Sequence, residues 1–398
     1  MIKNILKTIG KYIFYIPKTL IPKSDIVLFS CHDYQEYSGN SRFLYEYLSK
    51  HSNLNAYWIT NNSTVKDHLT SQSLKYISYS NILKSIWIML RTKIVVSAGD
   101  AYVDLFSILE NKNVYKVSIT HGFGPKTDRL KLDSDLIRKI HRFDYVNFPS
   151  KYTCDNNGSK LYKLPKEKII SYGYPKNDGL YDVKDGDQKY KNKSLIKKLF
   201  PDLDLISPIV ILYTPTWRDY ETEIPLVNIK GFTEDRFSDF LEEKNIIFIY
   251  SPHPINRPNI SINNRRFASI KNDKTLIDIN NLMHETDILM NDYSTTSIDY
   301  CITDKPQIFC LPDHQIYKKH VSLDEDYLYS LPGHWINSFE KLESIINKII
   351  LNKKEYIGKY HNKVQRYLNK YYDIENKRSS EMLTKFFIKL INSSSKKF

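Results

Sequence analysis

The chain has 398 residues, a formal charge of +13 and four cysteines, Cys31, Cys154, Cys301 and Cys310, none of them in a CxxC pair. That length exceeds one ordinary core, so two domains are expected. The charge favours an anionic partner (nucleic acid, an acidic membrane surface or a phosphate-rich substrate), while the cysteine spacing argues against a zinc site or disulfide framework and fits a reducing compartment.

At the N-terminus, Ile2, Ile5, Leu6, Ile9 and Ile13 recur at helical spacing among Lys3, Lys7, Lys11 and Lys18. Such a stripe either lays its apolar side on a membrane while its lysines meet anionic headgroups, or packs on its own domain. A spanning helix needs about 20 mostly apolar residues, which the interspersed lysines forbid. No small-residue cleavage site follows a continuous apolar run, so a signal peptide is not expected.

From residue 25, apolar runs alternate with helical patterns. DIVLFSC precedes SGNSRFLYEYLSK; NAYWIT, TKIVVSAG, VYKVSITHG, FDYVNFPS and KIISYGYP follow, each ending in polar residues. A polar, charged stretch near 181–205 suits a domain connection. A second series then runs through PIVILYTPTW, NIIFIYSPHP, FASIKN, DILMND and KPQIFCLP, with helical patterns from about Ser338 onward. Alternation of this kind predicts two α/β domains, each a doubly wound parallel sheet covered on both faces. In such sheets ligands sit at the carboxyl ends of strands. Neither GxGxxG nor GxxxxGK[ST] occurs, which disfavours a nicotinamide dinucleotide or P-loop enzyme.

Five polar segments fall at predicted strand ends. THGFGPKTD places His121 beside Gly122, Phe123, Gly124 and Pro125; the histidine is a general base or a loop residue satisfied locally. SYGYPKNDGL joins Lys176 to Asn177 and Asp178, where lysine can neutralise a phosphate and Asn or Asp can cap the next helix or fix a turn. YTPTWRD offers Pro215 and Thr216, with Arg218 reaching a ligand or pairing with Asp219. SPHP aims His253 from a proline-bound loop. NDYSTTSIDY should open a helix whose first turn carries Ser294, Thr295 and Thr296, a diphosphate cradle of free N–H groups and hydroxyls unless Asp292 or Ser294 simply caps it. Asp299, further along, either accepts ligand hydroxyls or faces the core.

In order, these segments resemble those of the CDP-glycerol glycerophosphotransferases of teichoic acid and capsule synthesis. NDYSTTSIDY is similar to that family's TDYSSxxFDF, GYPKND to GYPRND, YTPTWRD to YAPTWRD, HGFGPK to HGTPLK, and SGNSRFLYEYL to a segment with Asn before an aromatic-rich helix. The resemblance covers about residues 25–335. It implies a GT-B fold: two Rossmann-like domains with a cleft between them, followed by C-terminal helices. The expected layout is a basic amphipathic membrane-associating segment (1–24), an acceptor-side domain (25–185), a linker (186–205), a CDP-donor-binding domain (206–337) and terminal helices (338–398).

By that likeness His121 and His253 are the catalytic pair, with His121 the base. Gly122 through Pro125, Lys176, Pro215, Thr216, Arg218, Ser294, Thr295 and Asp299 hold the donor, and no metal or other cofactor is called for. The implied partners are CDP-glycerol or a related CDP-polyol, a lipid-linked or capsular polymer acceptor and an anionic membrane surface, at the cytoplasmic face of the cell membrane. Nucleic acid is disfavoured because the basic residues are dispersed and carry no recognised motif. Lys176 stands where the family usually has Arg, and Ser251 where it has Arg two residues before the His-Pro histidine. YKKHVSLDEDYLYSLPGHW matches the family's late Tyr, Arg and PGP pattern only loosely, with His334 for the last Pro. These departures leave the donor polyol and the polymer acceptor open; the alternative readings are CDP-ribitol or another CDP-polyol as donor, a nucleotide-sugar glycosyltransferase of the same fold, and a non-enzymatic basic scaffold suggested by the N-terminal lysines and the charge of +13.

Overall fold

The computed structural model describes residues 21–31, 36–98, 114–124, 134–184, 193–204, 206–221, 223–253, 262–270, 276–321, 323, 326–373 and 378–394. Most of the amphipathic segment expected over 1–24, and Pro125, lie outside them. The chain forms two compact units. Unit 1 comprises Met1–His121, Leu132–Asp178 and Glu375–Phe398, and unit 2 comprises Gly122–Lys131 and Gly179–Ile374.

Unit 1 is built on seven parallel strands: β1 (Ile26–Ser30), β2 (Asn55–Ile59), β3 (Tyr76–Ile77), β4 (Thr92–Ser97), β5 (Tyr115–Ser118), β6 (Tyr145–Phe148) and β7 (Ile169–Ser171). Their order is β3-β2-β1-β4-β5-β6-β7, so the winding reverses between β1 and β4. Both of those strands are buried along their whole length, as expected of central strands covered on two faces. Helices α1 (Gly39–His51), α2 (Ser63–Ser71) and α3 (Ile82–Arg91) connect the first strands. The Asn62 and Asn81 side chains accept the amides of Val65 and Lys84 and so start the second and third helices.

Unit 2 has six parallel strands: β8 (Ile209–Thr214), β9 (Ile246–Tyr250), β10 (Phe267–Ser269), β11 (Ile288–Asn291), β12 (Gln307–Cys310) and β13 (His334–Ile336), in the order β10-β9-β8-β11-β12-β13. Here the reversal lies between β8 and β11. Around the sheet stand α4 (Ser194–Leu199), α5 (Glu234–Glu243), α6 (Ile279–Glu285), α7 (Thr296–Tyr300), α8 (His314–His320), α9 (Phe339–Leu351) and α10 (Lys353–Tyr371). Phe339, capped into its helix by Ser338, packs edge-on against Phe237 and Phe240 of α5. That aromatic contact fastens one face of the sheet.

The last helix, α11 (Ser379–Ser394), belongs to unit 1. Its first amides, those of Ser379 and Ser380, donate to the Asp178 carboxylate at 2.8 and 2.9 Å. Phe386 meets Tyr145 and Tyr172 at ring-centroid distances of 5.1 and 5.4 Å. Asp178 therefore caps a helix two hundred residues downstream as well as opening its own. Both units are doubly wound parallel α/β domains of the GT-B type. Among the described residues, no helix is long and apolar enough to cross a membrane.

Candidate active site

At the reversal point of unit 2, the loops leaving β8 and β11 are joined by one carboxylate. Asp292, fully buried, accepts the Thr216 amide at 2.9 Å, the Thr216 hydroxyl at 2.6 Å and the Tyr293 amide at 2.5 Å. Arg218 Nη1 completes the set at 2.5 Å. A buried charge needs this many partners, since desolvation would otherwise cost several kcal/mol.

The rest of the guanidinium is also committed. Arg218 Nε and Nη2 donate to Asp313, which follows β12, at 2.9 and 3.2 Å, and Nη1 reaches the Thr216 carbonyl at 2.7 Å. Tyr293 and Tyr317 stack with centroids 3.7 Å apart, and the guanidinium carbon sits 4.8 Å from the Tyr317 ring. Burial would lower the Arg218 pKa, but Asp292 and Asp313 outweigh it and push the value up. Asp313 moves the other way: burial would raise it, and Arg218 and Tyr220 hold it below the ordinary carboxylate range. The pairing with Asp219 left open by the sequence does not form; Asp219 faces His320 at 3.7 Å.

Beside this ion pair, Pro215, Thr216, Trp217, Tyr250 and His253 line a small pocket. The β11 loop supplies Ser294 and Thr295 immediately before α7. The Ser294 hydroxyl meets Thr296 Oγ1 at 3.0 Å and accepts the Thr296 amide at 3.3 Å, whereas Asp292 is turned to Thr216 and Arg218. Against Thr295 lies the Gly122–Gly124 segment. A Cβ on Gly122 would stand 3.1 Å from Thr295 Oγ1, and one on Gly124 only 2.7 Å from Thr295 Cγ2. Glycine is required here by close approach. Asp299 is 2% exposed and accepts the Tyr372 hydroxyl, so it faces the core.

Unit 1 carries His121 and Lys176 at the ends of β5 and β7. Thr120, before the histidine, holds φ at +46°, a region uncommon for a non-glycine residue. Three contacts fix it: its hydroxyl donates to the Asn147 carbonyl at 2.9 Å and meets the Tyr174 hydroxyl at 3.1 Å, and its carbonyl accepts Asn40 Nδ2 at 2.9 Å. Asn40 Oδ1 also accepts the Lys176 amide at 3.3 Å, so one side chain at the start of α1 ties together the loops after β5 and β7. Lys176 is 8% exposed, with its ammonium 5.5 Å from the Tyr174 ring centroid.

The structure thus gathers Gly122, Gly124, Pro215, Thr216, Arg218, His253, Ser294 and Thr295 in unit 2, and His121 and Lys176 in unit 1. Sequence reasoning passed over Asp313, Tyr220 and Tyr317. Asp313 does follow the run KPQIFCLP, and its place just beyond a strand end was the available signal.

Residues 13–389 match the CDP-Glycerol:Poly(glycerophosphate) glycerophosphotransferase family. The chain belongs to that family. Its activity is the transfer of glycerol phosphate from CDP-glycerol. Among relatives, a teichoic acid glycerol-phosphate transferase of Staphylococcus aureus (strain NCTC 8325 / PS 47) is 25% identical over 90% of this chain and 93% of its own. A teichoic acid glycerol-phosphate primase of Bacillus subtilis (strain 168) is 26% identical over 68% of each. In fold, this glycerophosphotransferase is similar to the wall teichoic acid polymerase TagF, with a TM-score of 0.77 at 20% identity over 99% of this chain and 97% of that one.

Proposed function

We propose that the glycerophosphotransferase extends or primes a teichoic acid-like or capsular polymer carried on a lipid at the cytoplasmic face of the membrane. The acceptor hydroxyl attacks the phosphorus bearing glycerol; the new P–O bond forms as the bond to CMP breaks, and CMP leaves. His121 takes the hydroxyl proton. His253 and the amides of Ser294 and Thr295 offset charge on the phosphoryl oxygens, while Thr216 and Lys176 hold the donor. This chemistry depends on positioning and charge stabilisation. The observation that carries the reading is the meeting of the loops after β8 and β11 through Thr216 and Asp292, with Gly122 and Gly124 against Thr295.

CMP release from CDP-glycerol and acceptor tests it: His121→Ala and His253→Ala, if folded, should each lose at least about a hundredfold in kcat. Full activity in both would remove the mechanism.

Membrane attachment has support from α3. Ile82, Leu83 and Trp87 are 57%, 79% and 53% exposed, and their spacing gathers them on one face. Arg91 lies over the Trp87 ring at 5.6 Å, and Lys84 is exposed beside it. An apolar face flanked by cations suits an anionic bilayer surface.

A further inference from the structure

The unit 2 strands carry their candidate ligand residues at their carboxyl ends. At the opposite end, where β8 and β11 begin, a cavity of about 630 Å³ opens. Ile209, Ile288 and Ile349 form its apolar wall, and Lys193, Lys197 and Lys353 its charged one.

The charge there is not balanced. The carboxylate in the lining, Asp287, is already taken: Lys193 Nζ reaches it at 2.7 Å and the Val210 amide at 3.0 Å. The Lys197 and Lys353 ammonium groups make no hydrogen bond or ion pair among the described residues. Burial lowers Lys305 to about 8 against the pull of Asp287, and Lys353 and Lys193 lie close enough to add their repulsion. Three lysines therefore line the cavity against one carboxylate, and Lys305 stands behind them with its ammonium donating to the His284 and Thr286 carbonyls at 3.2 and 2.7 Å. Their frame is fixed. Glu285 accepts the Ser194 hydroxyl and the amides of Leu195 and Ile196, which pins the start of α4, and the Asn352 side chain caps α10 at Glu355.

Lysines alone would suit any polyanion, including a glycerol phosphate chain. The rim narrows the choice. Ile206, beside the lining residue Ser207, is 72% exposed; Ile350 is 45% exposed and Leu351 85%. Three bare aliphatic side chains around a cationic cavity match an anion presented at an apolar–water boundary rather than one free in solution. We propose that this cavity seats the phosphodiester headgroup of an anionic phospholipid, with Ile206, Ile350 and Leu351 entering the interfacial layer around it. The site belongs to unit 2 and does not depend on attachment through α3.

Flotation of the full chain with phosphatidylcholine vesicles, with and without phosphatidylglycerol, tests the assignment. Lys197→Ala with Lys353→Ala should weaken partitioning onto phosphatidylglycerol vesicles about 30-fold, at about fivefold for each lysine near an anionic surface. Leu351→Ser should weaken it as well. CMP release with a water-soluble acceptor should be unchanged in both variants, which separates this site from the catalytic reading. The lysine effect should persist in a Leu83→Glu, Trp87→Glu background.

Undiminished partitioning of the lysine variant overturns the proposal. So does an equal loss in the charge-matched control Lys163→Ala with Lys166→Ala, which would make the effect one of net charge. Binding of soluble poly(glycerol phosphate) that depends on Lys197 and Lys353, with no such dependence for vesicles, would assign the cavity to the polymer instead.

Discussion

Arg218 and Asp292 form an ion pair whose side chains are 2% and 0% exposed, and through it the loops after β8 and β11 become one rigid piece. Asp313 extends the piece to the loop after β12. The arginine thus fixes Thr216, whose carbonyl it holds and whose amide and hydroxyl its partner holds; in the proposed function it acts on the donor through that residue.

Removing one partner of such a pair leaves a buried charge uncompensated. Arg218→Ala should lose about 3–5 kcal/mol of stability, read as a lowered denaturant midpoint. Arg218→Lys keeps the charge without the planar fork, so it should fold and show a raised KM for CDP-glycerol. Wild-type KM in the folded Lys variant would show that the fork does not position Thr216.

The approach of Gly124 to Thr295 makes a compensating pair. Gly124→Ala places its new methyl 2.7 Å from Thr295 Cγ2, so the loop must move, and kcat should fall roughly 10- to 100-fold. Thr295→Ser deletes that methyl and keeps the hydroxyl. The double variant should recover most of the lost rate, and a double variant no better than Gly124→Ala would place the damage elsewhere.

Asp178 gives a pH signature to the docking of α11. Burial lifts its carboxyl to about 6, against the hydrogen bonds from Ser380 and Ser379. The folded state then binds the proton more tightly than the unfolded chain does. This group's contribution is greatest below about pH 4 and declines as pH rises through about 6. Asp178→Asn removes the titration, so wild-type stability relative to the variant should drop by up to about 3 kcal/mol between roughly pH 4 and pH 7. Melting curves of both proteins across that range check it; a relative gain with pH would reverse the sign.

For the membrane, Leu83→Glu with Trp87→Glu should shift part of the protein from the membrane to the supernatant fraction, leaving the share held through the unit 2 cavity, with melting temperature unchanged because both side chains are exposed. An unchanged distribution would discard α3 as a contact face.

Most strands were legible because central parallel strands are continuous apolar runs, as IVLFS and IVILYT show. The edge strands β3 and β13 were not, since two and three residues are too few for any periodicity. The site motifs were legible as polar residues at strand ends. Their partners were less so: Arg218 finds its carboxylates 74 and 95 residues away, while its sequence neighbour Asp219 takes no part. Helical patterns were likewise legible from about Ser338 onward, but only packing reveals that the last of these helices, α11, belongs to unit 1.

That return has a consequence for how the protein is made. Unit 1 draws α11 from residues that leave the ribosome after every segment of unit 2 has been synthesised. Unit 2 can reach its native packing during synthesis, while unit 1 waits with the Tyr145 and Tyr172 rings unpartnered by Phe386. Slow synthesis of α11 would prolong exposure of that apolar face, and chaperones would meet the nascent chain there.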